Sequence, residues 1–298
     1  MKILITGANG FLGQHLCISL ASKGFEVVAI SRGSCRIFNK QDIKYQSVDV
    51  TNKDTVATIL ALEKPDIVIH NAAMSKPDIC NNDKAECLLQ NVTATSYLLD
   101  TCKLLNPYFI YISSDFVFGE GGPYDETVVP APLNFYGASK LMAEHLVLAS
   151  SLQVAIVRPV FIYGQLLPGM KPTFIHWVQQ NLVNNKRINV VNDQQRTPTF
   201  VTDICDGILA IINKKAQGVF HLAGKDIISP YTMAVTVAKV LGLDASLIEP
   251  VTSATFVEPV QRAKKSGLKI DKAIDILGYN PVSFEEGVRL SFGVSLLQ

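Results

Sequence analysis

Tyr136 and Lys140 stand four residues apart in the stretch "YGASKLMAEH", a spacing that stacks two side chains on one face of a helix. A free tyrosine titrates near ~10 and is a poor acid or base at neutral pH. A neighbouring ammonium stabilises the phenolate and lowers that value. The pair therefore reads as a device for moving a proton. Ser114 lies 22 residues before Tyr136, at the end of the apolar run "YFIYISS". It offers a second hydrogen bond to an oxygen that gains charge. The chemistry that fits is protonation of a carbonyl oxygen as hydride reaches its carbon. The same spacing also suits an ordinary amphipathic helix, so the assignment depends on what surrounds it.

Near the N-terminus, "TGANGFLG" sets Gly7, Gly10 and Gly13 directly after an apolar strand and at the mouth of a helix. Glycine permits the tight turn and lets backbone approach a pyrophosphate at the helix N-terminus. The spacing is G-x-x-G-x-x-G rather than G-x-G-x-x-G, and the strand–turn–helix context is the required one. The second strand ends "VVAISRG". An NAD site usually offers Asp or Glu there to hold the ribose 2′-hydroxyl. None lies between Val27 and Gln41, and Glu26 is at the wrong end of the strand. Ser31 and Arg32 stand there instead. A guanidinium suits a 2′-phosphate, so NADPH is the expected cofactor, with NADH as the alternative.

These motifs need a scaffold. Apolar runs at 2–6, 26–30, 45–50, 66–73, 108–114 and 153–159 alternate with helical patterns at 11–22, 53–63, 83–105 and 134–150. Continuous apolar strands between helices predict an α/β fold with a doubly wound, Rossmann-like parallel sheet. Ligands of such sheets sit beyond the carboxyl ends of the strands. Ser113, Ser114, Asp115 and Phe116 are expected at that mouth, Asp115 and Phe116 on the substrate side. After residue 160 the regularity weakens. Helices near 173–185, 203–213, 231–241 and 284–296 and short strands at 188–191 and 218–223 read as a smaller cap. The expected division is 1–160 for cofactor and catalysis and 161–298 for substrate, part of it free to return to the sheet.

The chain has 298 residues, a net charge of +1 and 18% charged residues. No global field or dense basic tract points to nucleic acid, and no apolar run approaches the roughly 18 residues of a membrane helix. The early glycines argue against a signal peptide, so a cytoplasmic protein is expected. Six cysteines show no C-x-x-C pair, and five histidines no H-E-x-x-H, so no metal is expected.

Together, "TGANGFLG", "HNAA" (70–73), "YISSDFVFG", "PLNFYGASK" and "RPVFIYG" resemble the extended short-chain dehydrogenase/reductases, and within them the dTDP-4-dehydrorhamnose reductase-like group. "NDQQRTPTFVTDI" (192–204) and "GVFHLAG" (218–224) extend the resemblance over nearly the whole chain. The resemblance implies a catalytic triad of Ser114, Tyr136 and Lys140, with Lys140 also on the nicotinamide ribose. It implies that Asn91, in "LLQNVTAT", supports a proton-relay water. Ala72 and Ala73 would line the cofactor and Asp49 and Val50 flank adenine, with Phe11, Leu12, Asn71 and Arg158 as further cofactor contacts. A homodimer stays open, without a ligand cluster for a metal-linked one.

The chain departs from the group at "KPDIC" (76–80), where typical reductases read "VDKAE" and only Asp78 is shared in register. Residues 108–164 are also similar to the regulatory β subunit of methionine adenosyltransferase. The expected function is an NADPH-dependent reductase of a nucleotide-linked 4-keto sugar. A nucleotide-binding regulatory subunit without turnover and an NAD-dependent epimerase or dehydratase are the alternatives. A dehydratase would want an acid–base pair after the serine, whereas here Phe116 follows Asp115. In the cap, Arg196 and Asp203 are expected to face the sugar nucleotide, although Asp203 also suits a helix cap.

Overall fold

The computed structural model describes residues 1–38, 42–256 and 258–294. Seven strands form one parallel sheet: β1 (Lys2–Thr6), β2 (Glu26–Ser31), β3 (Ile43–Ser47), β4 (Ile67–His70), β5 (Tyr108–Ile112), β6 (Val154–Arg158) and β7 (Gly218–His221), in the spatial order β7-β6-β5-β4-β1-β2-β3. The central strands are apolar on both faces because both faces are covered; all five residues of β5 and of β6 are buried. On one face Leu16 and Leu20 of the helix Phe11–Ser22 pack with Ile204, Ile208 and Ile211 of the helix Val201–Lys214 over Ile3, Ile5 and Ile110. On the other, Leu60, Leu98, Ala143 and Val147 of the helices Lys53–Glu63, Ala94–Leu105 and Phe135–Leu148 cover Leu4, Val68, Phe109 and Ile156.

The chain order reverses between β1 and β4, where successive strands depart to opposite sides. A crevice opens at the carboxyl ends there, since no connection crosses it. Residues 201–221 belong to the sheet layer, because β7 pairs with β6 from Gly218↔Ala155 to His221↔Arg158. The cap has its own core. Ile175 and Val178 of the helix Phe174–Val183 pack with Met233 and Val237 of Pro230–Leu241, with Val288 of Phe284–Phe292, and with the parallel pair Ile188–Val191 and Ile248–Val251.

Three expected elements differ. The strand expected at 45–50 is Ile43–Ser47, because Asp49 and Thr51 form a side-chain-closed turn instead. The expected helix 83–105 is broken into Lys84–Leu88, a π-helical turn Leu89–Thr93, and Ala94–Leu105. An inserted π turn is a local change in hydrogen-bond pitch that leaves the apolar pattern almost unaltered. The helix expected at 284–296 ends at Phe292, with Gly293 left-handed at its C-cap; residues 295 and 296 lie outside the described ones.

Candidate active site

At the carboxyl ends of β1, β2, β4 and β5 lies a cleft of about 620 Å³. Its floor begins with the glycine turn. Gly7 is left-handed (φ +66°), and a Cβ there would come 2.8 Å from the backbone of Ala72. Gly13 does not line the cleft; a Cβ on it would meet the Gly7 carbonyl at 2.2 Å, so it lets the helix Phe11–Ser22 close onto the turn. That helix has Gly10 at its N-cap, no capping side chain and no acid in its first turn. Its free N–H groups and positive dipole end face the cleft, which suits a phosphate. Gly7, Gly10, Phe11 and Leu12 all line it.

Ser31 and Arg32 form the wall at the end of β2, and Arg32 makes a long donation to Gln90 Oε1 (3.4 Å). Opposite lie Asp49 and Val50. Burial pushes the Asp49 carboxyl up, but hydrogen bonds from Thr51 and the field of Arg32 outweigh it and hold the group below its usual value. Asn71, Ala72 and Ala73 close the next side. The backbone N–H groups of Asn71 and Ala72 donate to Thr6 Oγ1 at 3.1 and 2.9 Å.

A buried histidine fixes that loop. Because Thr6 Oγ1 accepts from Asn71 and Ala72, its own proton goes to His70 Nδ1 (2.8 Å). His70 Nε2 then donates to Thr95 Oγ1 (3.0 Å), which donates to the Asn91 carbonyl (2.7 Å). Burial, helped by the charge of Lys140, pushes His70 down to about 3, so it stays neutral. The sequence reading passed over this chain; a histidine closing the apolar strand "IVIH" was its only signal.

Ser114, Tyr136 and Lys140 meet in the same cleft. The helix Phe135–Leu148 starts at Asn134, whose side chain accepts from the Gly137 N–H. A Cβ at Gly137 would lie 2.0 Å from the Phe116 carbonyl, so the helix start is pressed against the Ser114 turn. The Tyr136 ring meets Phe116 edge-on at 5.4 Å. Lys140 donates to the Ile112 carbonyl at 2.7 Å, and its ammonium sits 4.2 Å from the Tyr111 ring centre.

The electrostatics reverse one expectation. Burial drives the Tyr136 phenol well above its ordinary value, although a hydrogen bond with Ser114 pulls the other way. Burial also lowers Lys140 to about 7, against the opposing field of Glu144. Desolvation dominates at both groups, so in this cleft Tyr136 is a protonated phenol.

Three other expected contacts are engaged elsewhere. Arg158 is buried away from the cleft in an ion pair with Glu144, at 2.9 Å (Nε–Oε1) and 2.6 Å (Nη2–Oε2), with its guanidinium 4.9 Å from the Phe118 ring centre. It was expected as a cofactor contact; its partner is instead on the neighbouring helix. Asn91, in the π turn, spends its amide on the Met74 backbone (2.7 and 3.1 Å) and on Ser139 Oγ (2.9 Å). Through these bonds it holds the loop beyond Ala73. Asp203 accepts from the Val282 N–H at 3.1 Å and lines neither the cleft nor the small recess beside Asp115. Arg196 lies on that recess, with Asp115, Phe116, Asn134, Arg262 and Ser266. Asp78, from the divergent "KPDIC" stretch, clasps Arg262 at 2.9 and 3.0 Å across the mouth of that recess. The cleft also takes in Ser75 and Thr173, which no motif marks, and Gln90 and Phe161, which lie within "LLQNVTAT" and "RPVFIYG".

Among the described residues no helix is long and apolar enough to cross a membrane, and no group of three or more His, Cys, Asp or Glu could hold a metal. The family model described as RmlD substrate binding domain matches residues 1–294, and the chain belongs to that family. It is 30% identical over 274 residues to a dTDP-4-dehydrorhamnose reductase of Mycobacterium tuberculosis, covering 90% of this chain and 84% of that one. It is 28% identical over 297 residues to the methionine adenosyltransferase 2 subunit beta of Mus musculus, covering 97% and 86%. The crystal structure of dTDP-4-dehydrorhamnose reductase from Bacillus anthracis in complex with NADP superposes with a TM-score of 0.86 at 27% identity, covering 99% of each chain.

Proposed function

We propose that this member of the RmlD substrate binding domain family is an NADPH-dependent reductase of a nucleotide-linked 4-keto sugar. The supporting observation is that Ser114, Tyr136 and Lys140 open into the same cleft as the glycine turn and Arg32. That cleft fits the cofactor: a side chain at Gly7 would fill the turn, and the helix end above it has no cap of its own. When bound, NADPH supplies the hydride. Gly7, Gly10 and the first turn of the helix Phe11–Ser22 would receive its diphosphate, Arg32 would hold its 2′-phosphate, and Lys140 its nicotinamide ribose.

The sugar carbonyl lies against Ser114 and Tyr136. Negative charge grows on its oxygen as hydride reaches C4. Tyr136 must then hold a proton, and burial keeps the phenol protonated. A developing alkoxide is far more basic than any phenolate, so the proton passes to it despite the raised value. Ser114 donates to the same oxygen. Phe116, where a dehydratase would place a second acid, gives only a ring edge to Tyr136, which supports simple reduction.

The test is consumption of NADPH against a panel of nucleotide 4-keto sugars. Binding of NADPH without turnover of any of them would instead support a nucleotide-binding subunit, the reading that the kinship with the mouse β subunit carries.

Two substitutions separate the halves of the cleft. Arg32→Asp removes the partner of the 2′-phosphate and adds the carboxylate that NAD sites carry. A charge-assisted bond of about 1.5–3 kcal/mol corresponds to roughly one to two decades of NADPH preference. Fluorescence titration should show that preference inverted in the variant and, in the wild type, more sensitive to salt for NADPH than for NADH. Equal affinities before and after would place Arg32 in solvent. Arg196→Ala should raise the sugar-nucleotide KM by roughly tenfold with the NADPH KM unchanged. A change in neither constant would leave Arg196 with only its bonds to Gln194, Gln195 and Lys264.

A further inference from the structure

Asp115 is 5% exposed, directly follows the catalytic serine, and has both carboxylate oxygens engaged. Ser114 Oγ donates to Oδ1 at 3.2 Å, and Ser266 Oγ donates to Oδ2 at 3.0 Å. The turn that carries it is fixed by backbone bonds from Asp115 N to the Pro159 carbonyl and from Phe118 N to the Asp115 carbonyl. Ser266 arrives from a distant part of the chain. Its segment is tied to the loop after Ser114 by the Lys264 N–H on Glu120 Oε1 (2.7 Å), Gly122 N on the Lys265 carbonyl (3.0 Å) and Tyr124 N on the Gly267 carbonyl (2.9 Å). Ser266 does not line the main cleft.

We propose that Asp115 is a positioning residue for the Ser114 hydroxyl and that Ser266 braces Asp115 in that task; this rests on the reductase reading above. Ser114 Oγ accepts from the Phe116 N–H (3.3 Å) and donates to Asp115, so its location is set before substrate arrives. An oxyanion donor works only within a few tenths of an ångström of its place, and a misplacement of about 1 Å can cost roughly a hundredfold in rate.

A serine hydroxyl has one proton. To serve the substrate oxygen, that proton must turn away from Asp115. A buried carboxylate stripped of its donors resists such a turn. Ser266 keeps the second oxygen satisfied, and Arg196 and Arg262 face the same recess. Asp115 can therefore release the proton of Ser114, and the Phe116 N–H keeps its hold on the Ser114 oxygen as the proton turns. No proton leaves Asp115 or Ser266 in this step; a hydrogen bond changes its acceptor.

The test is single-turnover NADPH oxidation, which keeps slow variants readable, in the wild type, Ser266→Ala, Ser114→Ala and the double variant. Thermal melting serves as a check on folding. Ser266→Ala should lower the hydride-transfer rate roughly tenfold, with sugar-nucleotide KM and NADPH affinity within about twofold. In the Ser114→Ala background the same substitution should change the rate by less than about twofold, because the route through Ser114 is gone. A tenfold loss in both backgrounds, an effect confined to KM, or a wild-type rate in Ser266→Ala overturns the proposal and leaves the reductase reading standing. A wild type that oxidises NADPH with none of the sugars overturns both.

Discussion

Tyr136→Phe should lower kcat by roughly 10²–10⁴-fold, the usual worth of general acid catalysis, while NADPH still binds. The substitution removes one oxygen and keeps the ring that meets Phe116. What is lost is the proton donor. The raised phenol value adds a pH signature. The donor is active while protonated and is lost only as pH climbs through its folded value, which lies above the ordinary 10.0. Reduction by the wild type should therefore show no alkaline limb from Tyr136 below about pH 10. Steady-state kinetics with a nucleotide 4-keto sugar measures both. A variant within a few-fold of wild type would remove Tyr136 as the acid, whereas a limb near neutrality that disappears with the hydroxyl would keep Tyr136 as the acid and overturn its raised value.

That pH expectation could not be read from spacing. The four-residue spacing of Tyr136 and Lys140 told that the two share a helix face, and the helix Phe135–Leu148 puts them there. Spacing does not tell how dry the face is. Lys140 is 2% exposed, and desolvation acts on each group in the direction opposite to their attraction. The same limit explains Arg158 and Asp203. Each was judged by its place along the chain, but each is claimed by a partner the sequence does not align with it: Glu144 on a neighbouring helix, and the backbone of Val282. What was legible rested on backbone rules. The glycine turn, the serine at a strand end and the apolar strands all follow from steric limits and from a sheet covered on both faces. The π turn at Asn91 and the bracing of Asp115 by Ser266 were invisible for the same reason, because they depend on contacts between distant segments.

Lys140→Met should separate stability from activity. Burial lowers the Lys140 amine from 10.5 to about 7. Between those values the unfolded chain carries a proton that the folded chain does not. Stability therefore rises with pH across that window, and the penalty of burying the charge is fully present below about pH 7. Methionine has a similar length and no charge, and replacing a buried charge by an apolar side chain is often stabilising. The cofactor-free variant should melt at a higher temperature than the wild type at pH 6–7, and the rise of melting temperature between pH 7 and 10 should be smaller in the variant. Activity should move the other way, on the order of 10²-fold down in kcat, as for other lost donors in a reacting site. The NADPH affinity should fall too, since the donor proposed for the nicotinamide ribose is gone. Melting curves in the absence of cofactor, set beside NADPH titrations, separate the two effects. A variant that melts lower at pH 6–7 would mean that the bond to the Ile112 carbonyl outweighs desolvation. One that keeps normal NADPH affinity and turnover would leave Lys140 a buried structural lysine with no part in the reaction.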